Sequence, residues 1–200
     1  MARLRPAALA AAAAVLAACA SEPAERRADA ARLMSELMSG RHPVGGPFEL
    51  SDPAGARVAL ADFRGKLVLV YFGFASCPDV CPTDLALIAQ ALRELDRSAD
   101  EVQPIFVGLD PERDTPEVLR EYVAAFHPRL LALTGTPEEV RRVATAYKVF
   151  FEKVAFPGGN GYTIDHTAYT FLLDRNGEFL ILFPPGTNAE RIAFMLREQM

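Results

Sequence analysis

The uninterrupted apolar run Leu67-Val68-Leu69-Val70-Tyr71-Phe72 restricts the possible folds more than any other stretch. With no polar position to face solvent, it reads as a fully buried strand. Thr83 to Leu95 follows, with Leu85, Ile88, Ala89, Leu92 and Leu95 at helical spacing and no Gly or Pro inside. Between strand and helix lies Gly73-Phe74-Ala75-Ser76-Cys77-Pro78-Asp79-Val80-Cys81-Pro82. Cys81 comes four residues after Cys77, and on a first helical turn that spacing puts both sulfurs on one face. Helix-like geometry would separate the Cα atoms by roughly 6 Å, inside the ~4.4–6.8 Å that a disulfide allows. The same pair is also suited to one metal ion. Unpaired N–H groups and the positive end of the helix dipole favour thiolate over thiol there. Packing alone accounts for buried cysteines, but not for two at this spacing beside Pro78, Asp79 and Pro82.

The remaining elements alternate in type. Phe48-Glu49-Leu50 and Arg57-Val58-Ala59-Leu60 predict a hairpin across Ser51-Asp52-Pro53-Ala54-Gly55. Gln103 to Leu109 predicts a strand, and Thr115-Pro116 an N-cap and first residue for a helix running to Phe126, stopped near His127-Pro128. Leu130 to Leu133 reads as a short strand, and Thr136-Pro137-Glu138-Glu139 caps a helix reaching about Val149. A Gly- and Pro-rich segment, read as a flexible loop, leads through Asp165-His166-Thr167 into two strands, Tyr169–Leu173 and Phe179–Phe183. These two are joined across Asp174-Arg175-Asn176-Gly177. A last helix begins near Asn188, with Ile192, Met195 and Leu196 on one face. Such an order predicts an α/β fold, helices flanking a central mixed β-sheet, with an N-terminal β-hairpin extension. A cysteine pair at the end of the first buried strand is the thioredoxin-like arrangement.

The first 18 residues read as a signal peptide. Arg3 and Arg5 precede an apolar run, Ala7 to Ala18, too short to span ~30 Å of hydrocarbon. Leu16-Ala17-Ala18-Cys19 resembles a bacterial lipobox, with Cys19 the lipidated first residue of the mature chain; cleavage after Ala20 is the competing reading. Either one exports the protein to an oxidising compartment. Residues 19–45 then form a flexible membrane tether, in which His42 is a solvated linker residue, and 46–200 form the domain. Only Cys77 and Cys81 remain in that domain, so its stability rests on a hydrophobic core rather than on disulfides. Of 21 basic residues, loss of Arg3 and Arg5 leaves 19 against 26 acidic, a net charge of about −7. That balance argues against nucleic acid as a partner.

Taken together, these motifs resemble the Sco/SenC family of thioredoxin-fold copper chaperones over about residues 45 to 200. The resemblance is carried by Gly73-Phe74, Cys77-Pro78-Asp79-Val80-Cys81-Pro82, Asp110-Pro111-Glu112-Arg113-Asp114-Thr115-Pro116, Phe126-His127-Pro128-Arg129, Thr134-Gly135-Thr136-Pro137 and Asp165-His166-Thr167. Ser76 is a departure, since many members carry His before the first cysteine. The resemblance implies copper, Cu(I) or Cu(II), bound by Cys77, Cys81 and His166. Two soft thiolates and an imidazole suit Cu(I), whereas structural zinc wants four protein ligands. Asp79 and Asp165 are candidates to tune the ligands, or for Asp79 simply to cap the helix. His127, Asp110 and Asp114 read as structural loop and cap residues.

By the same resemblance, the function is copper delivery to the binuclear copper centre of cytochrome c oxidase during assembly. Its partners would be the copper-receiving oxidase subunit, an upstream periplasmic copper donor or thiol reductant, and a membrane reached through the N-terminal lipid. The domain would face the periplasm or cell exterior. The alternative is a thiol–disulfide oxidoreductase that reduces the receiving subunit's cysteines, with Cys77 and Cys81 redox-active and joined when oxidised. Spacing of C-x-x-x-C and the lack of a proline before Tyr169 argue against a general oxidoreductase. A peroxidase of the peroxiredoxin kind is disfavoured because Thr83 follows both cysteines.

Overall fold

The computed structural model describes residues 44–200. The expected signal peptide, Cys19, most of the expected tether and His42 lie outside the described residues. Val44 is already buried, and the Gly45 N–H donates to the Ala146 carbonyl at 2.9 Å.

Five strands form the main sheet: β3 (Leu67–Gly73), β4 (Val102–Gly108), β5 (Leu131–Leu133), β8 (Thr170–Leu173) and β9 (Phe179–Phe183), in the order β5-β4-β3-β8-β9. β3 is central, parallel to β4 and antiparallel to β8, and all seven of its residues are buried. Successive strand side chains point to opposite faces. Leu67, Leu69 and Tyr71 accordingly join a core with α1 (Val80–Glu94), α2 (Pro116–Ala124) and α4 (Ala189–Glu198). On the opposite face Phe72 meets Tyr147, just past α3 (Pro137–Ala146), at 5.3 Å between ring centroids and Phe171 at 5.8 Å. Cover on both faces is what an uninterrupted apolar strand requires.

Three of the helices, α2, α3 and α4, start where the sequence signals them. Thr115 accepts from the Val118 N–H, Thr136 and Glu139 form a reciprocal capping box, and Asn188 accepts from the Arg191 N–H. Pro104 is tolerated in β4 because β5 begins to pair only at Ile105. The expected N-terminal hairpin is β1 (Glu49–Ser51) with β2 (Arg57–Ala59), and Ser51 bonds both ways with Thr134 beyond β5. Among the described residues no helix is long and apolar enough to cross a membrane.

Two sequence expectations are corrected. α1 begins only at Val80, so Cys77 lies in the preceding loop rather than on a helical turn with Cys81. Pro78 and the non-helical backbone of Asp79 delay the helix until three residues after Cys77. The segment ahead of Thr167 is not a flexible loop either. It is a second hairpin, β6 (Phe151–Ala155) with β7 (Tyr162–His166), turning through Phe156 to Gly161.

Candidate metal centre

Sheet topology brings the distant residues together. Tyr71 near the end of β3 pairs with Thr170 at the start of β8, so the chain just after one strand meets the chain just before the other. Cys77 follows Tyr71 by six residues, and His166 precedes Thr170 by four. The Cys77 and Cys81 sulfurs and a His166 ring nitrogen lie within 4.8 Å of one another. His166 Nε2 is 3.3 Å from Cys81 Sγ. Cys81 is fully buried, while Cys77 and His166 are half-buried. One side of the triangle is thus open to an incoming group.

The ring of His166 is fixed twice. Nδ1 lies 3.1 Å from the Thr167 carbonyl, a bond that requires the proton on Nδ1 and leaves the Nε2 lone pair free for a metal. Phe74, itself buried, stands edge-on to the imidazole at 5.7 Å between centroids. Cys81 is seated by an absence: a side chain at Gly73 would put its Cβ 2.8 Å from Cys81 Sγ and 3.0 Å from Phe106 and Tyr71. Gly73 is therefore the floor on which the buried sulfur rests.

The two thiols are electrostatically unequal. A hydrogen bond from Cys81 outweighs partial burial and, with the N–H groups of Asp79 and Cys81, brings Cys77 down to about 5. Cys81 moves the opposite way, because it donates that bond and because it is buried. Cys77 is the thiol that ionises first, as expected beside a helix N-terminus. Bonds of ~2.0–2.3 Å to nitrogen and sulfur require donors roughly 3.5–4 Å apart around a three-coordinate ion. The observed triangle, with one side of 3.3 Å and none above 4.8 Å, needs only small shifts to reach that size, and two sulfurs with one imidazole are a soft, copper-type donor set.

All three sequence-predicted ligands thus converge. Neither the Asp79 nor the Asp165 carboxylate bonds to a ligand atom among the described residues, and both residues are exposed; Asp79 occupies the N-cap position without a side-chain capping bond. His127 is structural, its Nδ1 accepting from the Arg129 N–H at 3.2 Å. Asp110 and Asp114 lie in the loop where the sequence places them and are both buried there; Asp114 Oδ1 accepts from the Ala75 N–H at 3.1 Å, two residues before Cys77. Asp84, one turn beyond Cys81, is also buried; it accepts from the Gly186 N–H at 2.7 Å, and burial pushes its carboxyl up. Its place among Leu85 and Ile88 on the apolar side of α1 was the only signal available.

The sequence model of the family described as SCO1/SenC matches residues 37–200. A SCO2-like protein of Rickettsia prowazekii is 40% identical over 157 residues, covering 78% of this chain and 77% of that one. The mitochondrial SCO1 homolog of Homo sapiens is 39% identical over 163 residues, covering 80% of this chain and 54% of its own. Among solved structures, Bradyrhizobium japonicum ScoI with copper bound superposes with a TM-score of 0.72 at 41% identity, covering 78% of this chain and 99% of that one.

Proposed function

The chain belongs to the SCO1/SenC family, and from that premise we propose that it binds copper through Cys77, Cys81 and His166 and delivers it to cytochrome c oxidase during assembly of the binuclear copper centre. The observation that carries this reading is the convergence of two sulfurs and one imidazole nitrogen within 4.8 Å, with the His166 lone pair directed by its Nδ1 bond. The copper-bound relative supports the choice of metal. Here copper is cargo rather than a resident cofactor. The half-buried Cys77 and His166 leave a side open, so an acceptor's soft ligand can enter before one of this chain's ligands departs. Buried Cys81 would be the last to let go.

The inequality of the thiols favours a second activity on the same residues. Cys77, accessible and readily ionised, would attack a disulfide of the receiving subunit, and Cys81 would resolve the mixed disulfide. The target leaves as a dithiol, a Cys77–Cys81 disulfide remains, and an upstream thiol reductant restores it. Cys19 would carry the lipid that holds the domain to the envelope membrane, facing the periplasm or cell exterior.

His166→Ala separates the two activities, because it removes a metal ligand and leaves both sulfurs. With equal protein levels, copper delivery predicts that His166→Ala cells lose oxidase assembly as Cys77→Ser and Cys81→Ser cells do. Normal assembly in His166→Ala with failure in both cysteine variants would make the protein a reductant and overturn the copper-delivery reading.

A further inference from the structure

His166 is carried by a hairpin outside the main sheet: β6 and β7 form a two-stranded sheet of their own. Such a hairpin is marginal in water unless something else holds it. Four of the five β6 residues are exposed, and β7 sends only Ile164 fully into the core. At its root, beside His166, the Thr167 N–H donates to the Phe150 carbonyl at 2.9 Å. At its far end it is gripped by the loop between β4 and α2. The Arg113 guanidinium carbon lies 3.8 Å from the Tyr162 ring centroid, and Nη1 donates to the Tyr162 carbonyl at 2.8 Å. Arg113 Nε also donates to the fully buried Asp110, which accepts from the Tyr162 hydroxyl at 2.9 Å. Through Asp114 and Ala75, the same loop holds the segment that carries Cys77.

One loop therefore grips both halves of the site. From this geometry we infer that Asp110, Arg113 and Tyr162 form a latch that sets the His166 ring against the cysteine pair, making Arg113 and Tyr162 positioning residues for metal binding. The inference rests on the copper reading above. Because His166 sits at the root of the hairpin, release of the far end tilts the strand and turns the ring away from Cys81, rather than carrying it off. Arg is required because only its planar fork bonds Asp110 and the Tyr162 carbonyl while stacking on the ring.

The test uses Arg113→Lys, which keeps a cation beside buried Asp110, and Tyr162→Leu, which removes ring and hydroxyl. Tyr162→Phe keeps the stacked ring. In metal-free protein, Arg113→Lys and Tyr162→Leu should speed amide hydrogen exchange across β6 and β7 about tenfold, with β3 and β8 unchanged. Loaded with Cu(I), both should lose copper to a chelator about tenfold faster, within the usual range for groups that orient a ligand. Neither should add to the loss in a His166→Ala background, and Tyr162→Phe, which takes a hydroxyl donor from buried Asp110 but keeps the stacked ring, should fall between wild type and Tyr162→Leu. Cys77–Cys81 disulfide formation should be unaffected. Unchanged hairpin exchange, exchange that also rises through β3 and β8, or losses additive with His166→Ala would each overturn the latch. A wild-type protein that takes up no copper would overturn the copper reading, and hairpin exchange would still decide whether the latch exists.

Discussion

Gly73→Ala should damage the site out of proportion to the one methyl group it adds. An alanine Cβ at this position would stand 2.8 Å from Cys81 Sγ and 3.0 Å from the Phe106 and Tyr71 rings. Carbon contacts are optimal at about 3.5–4.0 Å, so the methyl is roughly 1 Å too close to the sulfur. No neighbour can yield easily: Phe106 and Cys81 are fully buried and Tyr71 is 1% exposed. Overpacking of this kind costs about 1–3 kcal/mol. At about 2–4 °C per kcal/mol for a chain this size, Tm should fall by about 2–12 °C. Cys81 gives way along with its 3.3 Å approach to His166, so copper retention should weaken as well. Gly108, level with Gly73 on β4, is the control: its added Cβ would approach nothing closer than 3.3 Å, and Gly108→Ala should shift Tm less. The assay is thermal unfolding of reduced, metal-free protein, followed by copper loss to a chelator. Gly73→Ala within about 1 °C of wild type with unchanged copper retention would refute the packing argument, as would equal damage from Gly108→Ala.

Other outcomes follow from the same geometry. Alkylation of metal-free protein should label Cys77 with a midpoint near pH 5 and leave Cys81 unlabelled until the protein unfolds; equal labelling of both would contradict the assigned asymmetry. Burial, aided by the Asp110 charge, lifts the Asp114 carboxyl to about 6, above its unfolded value of ~3.9. Between those values the folded state holds the extra proton, so this group's contribution to stability falls as pH rises from about 4 to 6. Asp114→Asn should flatten that part of the stability profile, and an unaltered slope would show that Asp114 titrates normally. Cys19→Ser should release the protein from membranes with copper binding intact, whereas a mature N-terminus at Ser21 without acyl chains would establish ordinary signal cleavage.

Much of the architecture was legible because its signals are local. The Leu67–Phe72 run, the Thr115-Pro116 start, the Thr136/Glu139 box and the Asn188 cap are all where the structure has them. The candidate ligands were singled out through motifs, while the proximity of residues 81 and 166 depends on β3 pairing with β8, a long-range event that no local pattern encodes. The hairpin carrying His166 was missed because Phe151-Glu152-Lys153-Val154-Ala155 is mostly exposed and Tyr162-Thr163-Ile164-Asp165-His166 fully buries only Ile164, which leaves no sustained alternation to read. That Asp110 and Asp114 belong to a loop was legible in their acidic, proline-bounded stretch, but their burial was not, because only tertiary partners such as Tyr162 and Ala75 make it tolerable.

X-ray absorption at the copper edge tests the central claim most directly, on protein reduced and loaded with one equivalent of Cu(I) without oxygen. The account predicts two sulfurs at about 2.2–2.3 Å and one nitrogen at about 2.0 Å, with the nitrogen absent in His166→Ala. A wild-type spectrum with fewer than two sulfurs, or one that His166→Ala leaves unchanged, would contradict it.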